Sequence, residues 1–251
     1  MCFGFTSRPP LPPIRGSALD ASDITLTSRD GTPVAAYLAR SEQPSGAGVG
    51  ILPDVRGLTP YYEELALRFA EAGADALAVD LYARSAGPSR RADGWEYEPH
   101  VSRLDIEGLT ADVAAAAGVL RERGEVKRIY TIGFCIGGRI SLLQARSETP
   151  LAGVIGLYPW PTGPHRSGLP APSDEAARFR CPVLTVYGGG DAAIPPVARQ
   201  TFADALDAAG VEHRSVVYED APHSFFDRRA AEHADDSAAA WREILGFMGI
   251  A

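Results

Sequence analysis

Two hydrophobic periods alternate along this chain. Ile24 to Ser28 and Val34 to Leu38 are short β-like runs on either side of Asp30-Gly31, a dipeptide that favours a hairpin turn. Gly48 to Leu52 is a short continuous apolar run, with a loop after it at Pro53 to Thr59. From Tyr61 to Ala72 the spacing becomes helical, with Leu65, Leu67, Phe69 and Ala72 set among charges and Gly73 as the stop. Ala74 to Leu81 predicts another buried strand. Tyr82 to Val101 is rich in Arg, Pro, Gly and aromatic residues without a clear period, and reads as a long functional loop or lid. Asp105 to Arg123 predicts an alanine-rich helix stopped by Gly124. Arg128 to Phe134 is a strand, and a helix follows Cys135 as far as about Arg146. Leu151 to Tyr158 and Pro182 to Tyr187 are two further strands, separated by a loop holding Trp160 and His165. Pro196 to Ala209 predicts a helix with Gly210 behind it, His213 to Tyr218 the last strand, and Asp236 to Met248 the last helix.

Strands separated by helices of this length need crossover connections, which call for an α/β fold: a mostly parallel central sheet with helices on both faces. The opening hairpin supplies antiparallel strands at one edge. No repeat and no break in composition divides the chain, so residues 23–251 are expected to form one domain. Residues 1–22, with prolines between Pro9 and Pro13, are expected to form an extended N-terminal arm.

Composition narrows the function classes. The chain has 251 residues, 45% hydrophobic and 22% charged, with a formal net charge of −8. That balance offers no basic footprint for nucleic acid or an anionic membrane. No run approaches the roughly 20 apolar residues of a membrane span. Cys2, Cys135 and Cys181 are odd in number and widely spaced, without metal-ligand spacing, so neither a disulfide framework nor a metal site is expected. With no secretory pattern at the start, the expectation is a soluble, cytoplasmic protein that needs no cofactor.

The candidate chemistry lies in three places. In Gly133-Phe134-Cys135-Ile136-Gly137-Gly138 an apolar strand runs into a helix through a cysteine between glycines, the pattern of a nucleophile elbow with cysteine in the serine position. A sharp strand-to-helix turn leaves no room for side chains two residues away on either side. Cys135 would sit at a helix N-terminus, where partial positive charge favours thiolate, and the Ile136 N–H would face an oxyanion. Asp191 follows the strand and glycines of Val183 to Gly190. His223 follows the strand His213 to Tyr218. Both therefore sit past strand ends, and the order nucleophile, acid, histidine is that of α/β-hydrolases. His223 would move the proton, with Asp191 fixing its tautomer. Taken singly, each residue has an ordinary reading: a buried thiol, a helix cap, a loop histidine. Tyr82, Trp95, Tyr97 and Trp160 are candidates to line a pocket, while His100, His165 and His233 show no partner spacing and read as surface histidines.

From about residue 24 onward the sequence resembles the dienelactone hydrolase family. The likeness is carried by GFCIGG at 133–138, Asp80-Leu81-Tyr82-Ala83-Arg84, Gly188-Gly189-Gly190-Asp191 and Ala221-Pro222-His223-Ser224-Phe225. The resemblance implies an α/β-hydrolase fold, a Cys135-His223-Asp191 triad, and hydrolysis of a lactone or small ester through an acyl-thioester. It also implies that Arg84 binds a substrate carboxylate, that Ser224 belongs to the site, and that the Val55 N–H is the second oxyanion donor. Where the family has a glutamate that takes the thiol proton, this chain has Asp54, one methylene shorter. Arg56 stands where the family usually has an apolar residue, and its charge could hold Asp54 or an anionic substrate. Beside the lactone reading stand a broader carboxylesterase or thioesterase, and a non-catalytic protein of the same fold that only binds a small ligand. The sequence leaves the oligomeric state open.

Overall fold

The computed structural model describes residues 4–11, 20–122, 124–227 and 231–250. In chain order the elements are β1 (Asp20–Thr27), β2 (Pro33–Arg40), β3 (Ala47–Leu52), α1 (Pro60–Glu71), β4 (Ala74–Val79), α2 (Ala83–Ala86), α3 (Glu98–Val101), α4 (Ile106–Arg121), β5 (Arg128–Phe134) and α5 (Ile136–Gln144). There follow β6 (Gly153–Leu157), α6 (Pro172–Glu175), β7 (Val183–Gly188), α7 (Pro196–Ala208), β8 (His213–Tyr218) and α8 (Ala234–Phe247). The strands form one sheet in the order β1-β2-β4-β3-β5-β6-β7-β8. β1 pairs antiparallel with β2 and β2 with β4, and from β4 to β8 every pairing is parallel.

The parallel centre follows from the sequence pattern. β3, β4, β6 and β7 are buried at every position, as strands covered on both faces must be. Apolar clusters flank the sheet. One joins Leu65 and Phe69 of α1 to Val49, Ile132 and Ile244. Another joins Leu109, Val113 and Leu120 of α4 to Leu77, Val79 and Ile140. The expected hairpin turns at Asp30-Gly31, where Gly31 takes a φ of +83° and its N–H donates to the Ser28 carbonyl. Asp105 caps α4 by accepting the Gly108 N–H at 2.8 Å.

Three boundaries differ from the sequence reading. β1 begins at Asp20, so the arm is shorter than 22 residues. Its polar positions along an edge strand conceal the extra pairing with Arg40, Ala39 and Leu38. The stretch Tyr82 to Val101 carries two short helices, each only one turn long and below what periodicity can reveal. Tyr158 does not end a strand: it turns out of β6 with a φ of +38°. The proline run from Pro12 onward lies outside the described residues, but residues 4–11 pack onto the body, with Ser7 and Leu11 buried. Among the described residues no helix is long and apolar enough to cross a membrane.

Candidate active site

β5 delivers Cys135 into a turn with φ +56° and ψ −118°, where a side chain is sterically strained. The glycines make this possible. A Cβ on Gly133 would lie 1.9 Å from the Gly137 carbonyl oxygen, and one on Gly137 would lie 2.1 Å from that of Pro53. The Cys135 N–H donates to Leu157 at 3.0 Å, and the Cys135 carbonyl accepts the Arg139 N–H as α5 begins. Ile136 is the first residue of that helix, so its amide has no intrahelical acceptor.

Two loops from neighbouring strands meet the elbow. After β7, Gly188 and Gly189 allow the Asp191 turn to press against the backbone of residues 219–221, where any Cβ would come within 2.3 Å of a carbonyl oxygen. Asp191 is buried, its Oδ1 accepting the Ala193 N–H at 3.0 Å and its Oδ2 lying 2.6 Å from His223 Nδ1. That bond makes Nδ1 the donor and turns Nε2 toward the site's interior face. Tyr158 ties the imidazole to the elbow: its ring lies 5.0 Å from His223 and 6.2 Å from Phe134, the residue before Cys135. Trp160 stacks on His223 at 5.3 Å and 28°. Ser224 adopts φ +60°, and its buried hydroxyl has no hydrogen-bond partner among the described residues. Cys135, Tyr158 and Ser224 are the described non-glycine residues with positive φ, and all three belong to this one edge of the sheet.

The loop after β3 closes the other side. Asp54 is buried, its N–H donating to the Tyr62 hydroxyl and its Oδ1 accepting the Arg56 N–H, both at 2.8 Å. The Tyr82 hydroxyl donates to the Val55 carbonyl at 2.8 Å, which fixes that peptide. Burial, and next the charge of Asp54, push the Tyr82 phenol upward, with smaller contributions from Asp80 and Cys135, so it remains a neutral donor. One hydroxyl thus lies within electrostatic range of both Asp54 and Cys135. Burial and then Asp54 likewise raise Tyr62.

Arg84, which the resemblance assigns to a substrate carboxylate, is held by carboxylates of the chain itself. Its Nε and Nη2 donate to Asp112 at 3.3 and 2.7 Å, and its Nη1 donates to Asp30 and, at 3.1 Å, to Thr32. Nη2 also reaches Ser28 and the Gly108 carbonyl. Two carboxylates neutralise it, and it clamps the β1–β2 turn to α4. Asp80, also in the DLYAR stretch, forms a buried pair with Arg91, whose Nε donates to it at 3.0 Å. Arg56 is different: among the described residues its guanidinium has no hydrogen-bond or ion-pair partner, and it lines a cavity.

The three histidines read as surface residues all have partners. His165 Nδ1 lies 2.8 Å from Ser167 Oγ, and its ring packs on Trp160 at 5.2 Å. Burial, followed by Arg139 and Arg166, holds it down at about 4. His100 stacks on Trp95 at 5.1 Å, and His233 Nδ1 lies 3.3 Å from Asp236. Sequence reasoning also passed over Arg139. Fully buried, it donates to the carbonyls of Trp160, Gly163, Leu169 and Pro170. Burial lowers it to about 10, against the pull of Asp174, so it stays charged. Its place one helical turn after Cys135 was the only available signal.

The dienelactone hydrolase family model matches residues 34–251. The chain belongs to that family. It is accordingly a hydrolase of the carboxylic ester and lactone class. A provisionally assigned carboxymethylenebutenolidase from Escherichia coli strain K12 is 31% identical over 231 residues, covering 90% of this chain and 85% of the relative. A provisionally assigned 2-oxo-3-(5-oxofuran-2-ylidene)propanoate lactonase from Bradyrhizobium is 28% identical, covering 92% and 94%. Among solved structures, a provisionally assigned dienelactone hydrolase from Klebsiella pneumoniae superposes with a TM-score of 0.82 at 29% identity, covering 93% of this chain and 99% of that one.

Proposed function

We propose that this dienelactone hydrolase family member opens small lactones, or cleaves small esters, through Cys135, His223 and Asp191. The observation that carries the reading is Cys135 at φ +56°, held between a strand and a helix N-terminus, at the edge where His223 and Asp191 share a 2.6 Å bond. A buried thiol kept only for packing gains nothing from that strain.

In the first half-reaction the thiol proton passes to His223, directly or by way of Asp54, and the Cys135 sulfur attacks the carbonyl carbon. The tetrahedral oxyanion is held by the Ile136 and Val55 N–H groups. The C–O bond then breaks, imidazolium His223 protonates the leaving alkoxide, and a thioester remains. In the second, His223 takes a proton from water, hydroxide adds to the thioester, and the thiolate leaves with a carboxylic acid as product. Asp191 holds the imidazole in the required tautomer and stabilises its charged form. A thiolate is a good leaving group, so activated lactones and enol esters suit this site better than amides. Ser224 adds a hydroxyl at the same edge. Arg56, not Arg84, is the cation free to meet an anionic substrate.

With an activated aryl ester, the parent enzyme should show a burst of leaving group matching the enzyme concentration. Cys135→Ala should abolish the burst and lower turnover by about 10⁴-fold or more. Unchanged turnover in that variant would refute the reading.

A further inference from the structure

We infer that residues 4–11 complete an aryl-carboxylate subsite, in which Phe5, Trp95 and Tyr97 take a planar ring and Arg56 its anionic substituent. A cavity of about 360 Å³ is lined by Gly4 and Phe5 of the N-terminal segment, by Ala92 to Trp95 and Tyr97, and by Arg56 and Thr59. The region matched by the family model begins at residue 34, so one wall comes from outside it.

That wall is built. The Ser7 N–H donates to the Gly4 carbonyl at 2.9 Å, forming a turn with Phe5 at its corner. Arg8 closes the turn through its Nη1, which donates to the carbonyls of Phe5 and Ser7 at 3.2 and 2.8 Å. The segment then fastens to both flanks of the site. The Arg8 N–H donates to Asp227, four residues beyond His223, at 3.3 Å. Arg8 Nε pairs with Glu64 of α1 at 3.3 Å. Residues 4–11 therefore bridge α1 and the His223 turn across the catalytic edge of the sheet.

The opposite wall is equally fixed. Trp95 packs on Tyr82 at 5.1 Å, carries the Arg91 guanidinium 4.6 Å from its ring centre and stacks on His100. Tyr82 in turn holds the Val55 peptide, next to Arg56. Aromatic edges on two sides suit a planar ring. An unpaired guanidinium in the lining suits a carboxylate. Thr59 adds a hydroxyl, and the Asp93 carboxylate, also in the lining, disfavours a second negative charge on the ligand. The subsite depends on the hydrolase reading only for which part of the substrate enters it.

Binding and turnover test the two separately. In the Cys135→Ala protein, 2-naphthoate should bind at least about tenfold more tightly than acetate, read by tryptophan fluorescence. Adding Phe5→Ala should weaken it about tenfold, the worth of one aromatic contact. Phe5→Tyr, which keeps the ring, should restore most of the affinity. In the parent enzyme, Phe5→Ala should lower the ratio of kcat/KM for dihydrocoumarin to that for δ-valerolactone about tenfold, through KM. Equal affinity for naphthoate and acetate, or no effect of Phe5→Ala on either ratio, overturns the subsite. Phe5-dependent naphthoate binding without hydrolysis of either lactone supports the subsite and overturns the proposed reaction.

Discussion

The proposed reaction turns on a single thiol, and its neighbours set how it differs from the other cysteines. Cys135 sits at the positive end of α5 in a strained backbone that only Gly133 and Gly137 permit. Cys181 sits half-buried, and burial pushes its thiol up to about 11. Only thiolate reacts with an alkylating reagent. In a Cys2→Ser background, iodoacetamide should therefore modify the protein in two phases. The fast phase, present at pH 7, belongs to Cys135 and disappears in Cys135→Ala. The slow one belongs to Cys181 and rises tenfold per pH unit up to about pH 11, because the thiolate fraction does. Peptide mapping of the carboxamidomethyl group assigns each phase, and a slow Cys135 would contradict the nucleophile reading. At this scale the sequence was readable for a physical reason. Elbow glycines, and an acid and a histidine after successive strands, are dictated by backbone contact and strand direction. The pairing of Arg84 was not readable, because its partners Asp30 and Asp112 are distant in sequence and only the fold brings them to it.

Elements carry the geometry from one group of the proposed triad to the next. The loop between β6 and α6 touches His223 through Trp160, whose ring stacks on the imidazole and whose Nε1–H donates to Ala193 beside Asp191 at 3.2 Å. Arg139 anchors the same loop from α5, the helix that follows the nucleophile. Neutral His165 packs on the far side of Trp160, where its low pKa keeps a second positive charge away from Arg139. Arg139 is thus a positioning residue that couples helix, loop and imidazole. Lysine keeps the charge but loses the planar fork, leaving buried carbonyls unsatisfied at about 1–3 kcal/mol each. Arg139→Lys should lower kcat with little change in KM for a small ester and shift the pH limb assigned to His223. Hydrogen exchange should show protection lost over residues 160–170 before the rest of α5. Uniform loss across the chain, with an unmoved pH limb, would reduce Arg139 to a packing role. The loop was legible beforehand but its anchor was not, since four carbonyls leave no mark on a sequence.

The whole molecule is a mostly parallel sheet whose antiparallel edge must be held to the body, and Arg84 does part of that holding. Strand and helix periods made the sheet legible from β2 to α8. The packing of residues 4–11 was not, because Phe5 and Leu11 stand alone without a period. Nor could the sequence separate a clamp from a ligand-binding arginine. Arg84 joins the β1–β2 turn to α4, using Asp30 and the buried Asp112. Asp30 is held well below the usual carboxylate range, by the hydrogen bond from Arg84 first and by Thr32 second. Its share of stability is therefore present above its ordinary pKa and is lost only as acid protonates it. Removing Arg84 leaves Asp112 buried without its main counter-charge, a change that costs roughly 3 kcal/mol. Arg84→Gln should lower the melting temperature by several degrees at pH 7. The gap between variant and parent should narrow as pH falls through and below the ordinary carboxylate range, because Asp30 takes up a proton first in the unfolded chain and only at much lower pH in the folded one. KM for an anionic lactone should stay within about twofold of the parent, whereas Arg56→Gln should raise it about tenfold with the melting temperature nearly unchanged. The reverse pattern would return the substrate carboxylate to Arg84 and show that the clamp opens when substrate enters.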